Sequence, residues 1–450
     1  MRIGIALLLA LGLHAETATF NSHIAPIVYR NCSPCHRPGQ AAPFSLLAYE
    51  DVARRGQLIA AVTQSRFMPP WKAEPAAYPY QDERRLSTEE IALIRDWVKA
   101  GMPEGDASQK AEPPKFDSGW TLGKPDLIVE MPEAFPVPAD GPDIYRNLVI
   151  PLNLPEDKWV KAIELRPSAR GVVHHVLYFA DASESVRRAD ARDPGPGFTG
   201  MGFGRSAQML GGWALGAQSH FYPGDLAMPL KKGSDLVFQY HFHPDGKPEK
   251  EKSTVALYFA PRAPSHTMMH LGLPPIFGIF AGVRIPPGAA DFRVKDSFVL
   301  PVDAEAISTG AHAHYLGKEM KLTATLPGGE TKTLLWIRKW DFAWQDRYFF
   351  EDMVPLPKGT RLDAEVSWDN SESNPRNPSN PPVLVKWGEE SQDEMGSVNV
   401  LVIAKEESDL PALQKAYRAF IVDEAKARFA QEPGFREELM EKMKKVWGPR

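Results

Sequence analysis

A period-two pattern constrains this chain more than any other feature. Short runs of alternating apolar and polar residues recur between turns: DLIVEMP, NLVIPLN, VKAIELRP, VVHHVLYFA, DLVFQYHFHP and STVALYFAP, then KLTATLPGG, TLLWIRKW, RLDAEVSWDN and SVNVLVIAK. Successive side chains of a strand point to opposite faces, so each run reads as a strand with one face toward a core. The 42 prolines and 34 glycines supply the breaks between them. Many short strands at this spacing make antiparallel sandwiches. The number of runs suits two all-β, jelly-roll-like sandwiches, over residues 124–262 and 263–405. The proline-rich SESNPRNPSNPP, Ser371 to Pro382, reads as a loop between strands.

The rest of the chain has a different period. Ile24 to Tyr29, Leu46 to Val62 and Ser87 to Lys99 read as short helices, the last with a capping box of Ser87 and Glu90. Residues 106–123 read as a linker rich in Pro, Gly and charge. Residues 406–450 read as a helical tail, with Leu413, Tyr417, Phe420 and Ile421 on one face and a break at Pro433-Gly434. The first 15 residues have the form of a secretory signal peptide: Arg2, an apolar run from Ile3 to Leu13, then Leu13-His14-Ala15. That run is too short to span a bilayer, and no later run is long enough. The expected location is the periplasm or outside the cell. The net charge of −5 gives no basic surface for nucleic acid.

The only two cysteines, Cys32 and Cys35, belong to NCSPCHRPG. C-x-x-C-H is the attachment pattern of c-type haem, with Cys32 and Cys35 as thioethers and His36 as proximal ligand. A redox dithiol, a zinc half-site or a disulfide are the other readings of this pair. Haem amid short helices makes residues 19–105 an expected small all-α cytochrome c domain. Met68, in RFMPPWKAE, is the candidate second axial ligand, because Pro69 and Pro70 stiffen its loop; Met102 is the alternative.

Histidines gather in the β region. His312 and His314 in STGAHAHYLGKEM share a strand face, so both imidazoles can reach one metal ion. Met395 is the candidate third ligand, and a thioether beside imidazoles favours copper. His174 and His175 are neighbours in VVHHVLYF. Sharing one metal there requires a bulge or twist, because adjacent strand residues face opposite ways. His241 and His243 close another strand, and one of them completes an all-imidazole site open to copper or zinc. His220, His266 and His270 read as structural.

In this order the motifs resemble those of the copper type II, ascorbate-dependent monooxygenases, the family of peptidylglycine α-hydroxylating and dopamine β-monooxygenases. The resemblance covers roughly residues 124–405. The family's His-His pair matches VVHHVLYF, and its Q-x-H-Y-G-D run matches FQYHFHP and selects His241. Its I-P-P-G matches Ile285 to Gly288, its H-T-H-x-x-G-K matches HAHYLGK, and its D-E-M matches Asp393-Glu394-Met395. The resemblance implies two copper ions. One, on His174, His175 and His241, stores an electron; the other, on His312, His314 and Met395, activates dioxygen. One oxygen atom enters a substrate C–H bond. The fused haem is expected to supply electrons, in place of or beside ascorbate or a periplasmic carrier.

The departures bear on the substrate. The family's arginine two residues before the H-x-H pair grips a carboxylate, as do an asparagine and a tyrosine after the methionine. Those positions here are Gly310, Ser397 and Asn399, so a carboxylate clamp is not expected at that point and a C-terminal glycine is not the expected substrate. A small molecule or another peptide is. Two other functions fit part of the pattern: a haem–copper electron carrier without hydroxylase activity, and a zinc hydrolase, for which no carboxylate stands beside the histidines as a general base.

Overall fold

The structure, a computed structural model, describes residues 17–40, 42–116, 119–200, 207–214 and 216–447. The expected signal peptide, residues 1–15, lies outside the described residues. No helix among the described residues is long and apolar enough to cross a membrane.

The described chain divides into two compact units. The smaller holds the residues up to Trp71 and Arg84–Phe116. Its helices are short: Ala25–Asn31, Tyr49–Arg54, Gly56–Gln64 and Thr88–Lys99. Phe20, Ile24, Val28, Leu46, Val52, Ile59, Ile94 and Trp97 form its apolar cluster. The capping box forms as the sequence requires: Glu90 N–H donates to Ser87 Oγ (3.1 Å) and Ser87 N–H to Glu90 Oε2 (2.8 Å).

The larger unit holds Lys72–Glu83 and the chain from residue 119 on. Four four-stranded antiparallel sheets dominate it. Two build the first sandwich. One has the order Leu127–Glu130, Thr254–Phe259, Lys158–Arg166, Met228–Leu230; the other Ile144–Pro151, Asp235–Phe242, Val173–Asp181, Gln208–Ala214. The second sandwich pairs the sheet Met269–Leu273, Gly396–Ala404, Ala304–Ala313, Arg347–Leu356 with the sheet Phe292–Val299, Arg361–Trp368, Gly317–Thr325, Thr331–Ile337. The helix Leu410–Gln431 docks through Leu413 and Tyr417, with Phe298 against the rings of Tyr417 and Phe420.

One part of the expected architecture is corrected. The structure is mostly β-sandwich, and residues 19–105 are not a self-contained all-α cytochrome c domain. The helices there run to only 7, 6, 9 and 12 residues. Within that range Lys72–Glu83 is extended and belongs to the β unit. Ala73 bridges Ile337 and Tyr80 bridges Phe350. Glu74 and Ala77 amides donate to Trp336 O and Thr333 O at 2.7 and 3.0 Å. The physical reason is that backbone groups of an irregular apolar segment find partners most cheaply on a strand edge, and buried Tyr80 anchors this one by stacking on Phe350.

The two sandwiches share one apolar core. Ile307, Phe349, Leu401 and Ile403 of the second sandwich enter the same core as Leu148, Tyr178 and Phe238 of the first. The strand Gly396–Ala404 is accordingly buried almost throughout. A strand with both faces covered reads as a continuous apolar run, SVNVLVIA, and that run records the fusion.

Candidate metal centre and its cavity

A bulge brings His174 and His175 together. In the pairing with Asp235–Phe242, Val173 faces Phe242 and His175 faces His241, so His174 is the extra residue. The two Nδ1 atoms lie 3.0 Å apart. His174, His175 and His241 together offer ligand nitrogens all within 4.8 Å of one another. His241 uses its Nε2 on Asp143 Oδ2 (2.8 Å), and its Nδ1 is buried with no hydrogen-bond partner. An orphaned imidazole nitrogen beside two others is what a metal would satisfy. The histidines fit a copper ion on this ground.

His243 is separated from His241 by its environment. It is exposed, and its Nδ1 bonds Asp143 Oδ1 at 2.7 Å. Asp143 is a hub that no sequence pattern singled out. It also accepts from Ser391 Oγ (2.7 Å) and Tyr315 OH (3.3 Å), both on the second sandwich. Ser391 Oγ bonds Tyr145 OH at 2.6 Å, and Tyr145 stacks on the His241 ring. Burial pushes the Asp143 carboxyl up, but the bonds from His241, His243 and Ser391 outweigh it and hold it well below the usual carboxylate range.

His312 and His314 stand on the strand Ala304–Ala313 and just past its end, with ring centroids 5.2 Å apart. Gln345 Oε1 accepts from His312 Nδ1 (2.6 Å), and Asp393 O accepts from His314 Nδ1 (3.1 Å). Nε2 of each ring is thereby the nitrogen left to ligate. Ala313 pairs with Gly396, which puts the preceding Met395 beside His314; Met395 is 2% exposed and lines the same cavity as both histidines. Glu394 ties the segment down by accepting from the amides of His314 (2.9 Å) and Leu316 (2.6 Å) and from Trp368 Nε1 (2.9 Å). Burial raises its carboxyl to about 8 despite those donors. Two imidazole nitrogens and a thioether fit a copper ion of the softer state.

The two groups are close. His175 and His312 have ring centroids 6.4 Å apart, and both line one cavity of about 340 Å³ between the sandwiches. Burial lowers His174 and His314 to about 3 and His312 to about 4, so their rings are neutral and in the form that ligates. Cavity residues that the sequence did not mark include Gln345, Arg347 and His270; the last was read as structural.

In the smaller unit, the amides of Cys35 and His36 both donate to Cys32 O, at 3.1 and 2.9 Å, which sets the two thiols and the ring on one turn. His36 Nδ1 bonds Phe44 O (3.2 Å), so Nε2 is left for a metal. Burial, then the neighbouring Cys35, pushes the Cys32 thiol up to about 12. This donor set fits covalent haem. Met68 is half-buried on the loop after Gly56–Gln64, whereas the Met102 sulfur packs against Gly56 in the helical core.

No family model matches the chain, and no curated protein matches it. Solved structures that it resembles include the major capsid protein P2 from bacteriophage PM2 (9% identity, 58% of this chain, 97% of that one, TM-score 0.24). Others are the STIV MCP (9%, 64% and 99%, TM-score 0.28) and PNGF-II (11%, 60% and 61%, TM-score 0.25). At these TM-scores the likeness carries no argument about function.

Proposed function

We propose that this chain is an exported copper-dependent monooxygenase that inserts one oxygen atom of O2 into a substrate C–H bond. The observation that carries the reading is one cavity lined from two sides by histidines. The His174–His175–His241 group offers the orphaned His241 Nδ1, and the His312–His314 pair, beside Met395, keeps Nε2 uncommitted.

Copper, when bound, supplies the one-electron and dioxygen chemistry. The protein's own residues do the rest. Asp143 orients His241 and places a carboxylate behind its ring, which favours the more oxidised metal. Neutral Gln345 and a backbone carbonyl orient His312 and His314, and the Met395 thioether favours the reduced metal. The first group thus suits electron storage and the second suits the oxygen-binding step. Trp213, Phe277 and Phe342 give the cavity apolar walls that limit water. Cys32, Cys35 and His36 would hold covalent haem, and the haem is proposed as an electron donor alongside ascorbate or a periplasmic carrier.

The test is metal analysis and turnover on the full-length protein. Two copper ions per chain and oxygen uptake coupled to a product 16 mass units heavier than substrate are expected. Copper uptake without such a product would make the chain a haem–copper electron carrier, and no copper uptake would end the reading.

A further inference from the structure

Residues 338–346 join two strands that stand at the edges of their sheets, Thr331–Ile337 in one and Arg347–Leu356 in the other. This loop supplies Phe342 and Gln345 to the cavity. Phe342 faces both histidine groups, with ring centroids 4.7 Å from His174 and 5.8 Å from His314. Gln345 donates through Nε2 to Phe342 O (3.1 Å), while its Oε1 accepts from His312 Nδ1. A loop without regular structure holds such a residue in place only if something else orders it, because ordering its backbone costs conformational entropy.

The ordering comes from Lys72–Glu83, a segment outside the residues that carry the family resemblance and yet part of the larger unit. It lies on both edges. Beside the bonds from Glu74 and Ala77 to the first, the Gln81 amide donates to Phe349 O (2.8 Å) and the Glu351 amide donates to Pro79 O (3.0 Å) on the second. Tyr80 joins the two. It is buried, its hydroxyl donates to Leu334 O in one sheet, and its ring stacks on Phe350 of the other with centroids 5.4 Å apart. One segment thus ties the sheets together where the loop leaves them. Lys72 then holds the loop itself. Its Nζ is 3.0 Å from Asp341 Oδ2, and the two side chains are only 11% and 22% exposed, so water screens this pair less than an ordinary surface pair. Asp341 Oδ1 accepts from the Ala343 amide (3.2 Å) and Asp341 O from the Trp344 amide (2.9 Å), a turn that places Phe342 and Gln345. At the far end of the segment, Asp82 Oδ2 stands 3.6 Å from Nδ1 of His220, a cavity residue whose ring lies against Phe349.

We propose that Lys72 and Tyr80 are positioning residues for the His312–His314–Met395 group: they clamp the loop 338–346, and the clamp holds Gln345 behind His312. The partner behind an imidazole fixes its tautomer and its direction, so a loosened Gln345 leaves the His312 ring free to turn. The site in the larger unit is therefore completed by a segment that precedes both sandwiches in the chain. That the group holds copper rests on the monooxygenase reading; the clamp on the loop does not.

The experiment is amide hydrogen exchange, read by mass spectrometry on the full-length protein as purified, with copper titrated against a chelator on the same samples. The variants are K72M, which keeps the stem without the charge, K72R, which keeps the charge, and Y80F, which loses only the hydroxyl. In K72M the amides of residues 338–346 should exchange about tenfold or more faster, with the strand Asp235–Phe242 of the first sandwich unchanged. Y80F should act in the same direction by less, and K72R should retain most of the protection. Copper on the second group, marked by its sulfur scattering, should be held about tenfold less tightly in K72M, and copper on the first group as in wild type. If K72M fails to fold, D341N carries the same expectation, because it keeps an oxygen for the Ala343 amide without the charge. Faster exchange spread over the whole chain, or a loosened loop with copper affinity at the second group unchanged, overturns the positioning role. Copper uptake with hydroxylation and an unchanged loop in K72M and Y80F sinks the clamp alone. Faster exchange confined to the loop, in protein that takes up no copper, bears out the clamp and sinks the monooxygenase reading alone.

Discussion

The two histidine groups use the same side chain with opposite ends. In the first, His174 and His175 meet through Nδ1 and the Nδ1 of His241 is left without a hydrogen-bond partner, because Asp143 occupies its Nε2. In the second, Gln345 and a backbone carbonyl occupy Nδ1, and Nε2 is offered. The partner behind each ring therefore decides the nitrogen in front. It also decides the charge: a carboxylate stands behind the first group, while neutral oxygens and a sulfur serve the second. In the proposed monooxygenase, that asymmetry would give the two groups different preferences for the oxidation state of bound copper.

The largest expected effect comes from removing the orphaned nitrogen. His241→Ala should abolish copper at the first site, so that loaded protein carries one copper rather than two, read by metal analysis after dialysis. His243→Ala should leave both, with affinity reduced by less than about tenfold through Asp143. The reverse order would move the ligand by two residues and break the comparison at its base. Next is Met395→Ile. It should weaken Cu(I) at the second site by roughly 10–100-fold, remove the sulfur scatterer from the X-ray absorption spectrum and abolish product formation. Retained sulfur scattering would show that another residue supplies the thioether.

How much of this was legible differs between local and long-range features. The period-two runs marked the strands, and HAH put His312 and His314 on one face because strand geometry alone fixes that relation. The His174-His175 pair stated its own requirement, a bulge, which the pairing shift at His175 supplies. Asp143 and Gln345 were not legible. Each acts across a distance set by strand order, 98 residues between Asp143 and His241, and 33 between His312 and Gln345. The smaller unit misled in a further way. Its helical periods were real, but nothing in PWKAEPAAYPYQDE announces that this stretch adds to strands more than 250 residues away.

A smaller effect should come from the partner behind the first group. Asp143→Asn keeps a hydrogen bond to His241 but removes the charge. Copper should stay bound, with its potential raised and its affinity lowered by about tenfold. Voltammetry and competition with a chelator would read both. The same variant should leave the second site's spectrum unchanged. A change at both sites would mean that Asp143, through Ser391 and Tyr315, holds the two sandwiches in register as well as tuning one ring.

The smallest effect lies outside both groups and separates loss of a site from loss of the fold. Asp296, on the strand Phe292–Val299, has a buried Oδ2 without a partner. Burial, then the nearby charge of Glu424 on the C-terminal helix, raises its carboxyl to about 7. A carboxyl raised in the folded state binds a proton that the unfolded chain has released. Its contribution is fully present below the unfolded value near 4, declines as pH rises, and is gone once pH passes about 7. Wild-type stability should therefore fall between about pH 4 and 7 from this group. Asp296→Asn is neutral throughout, so it should flatten that decline and gain about 1 kcal/mol at pH 8, after discounting for partial exposure. Denaturant melts at pH 5 and pH 8 measure it, with copper content checked at each. The two histidine groups should load as in wild type, because Asp296 touches neither. A gain at pH 8 accompanied by lost copper would show that docking of the C-terminal helix reaches the cavity through Tyr417, whose hydroxyl bonds Gly272 in the cavity lining.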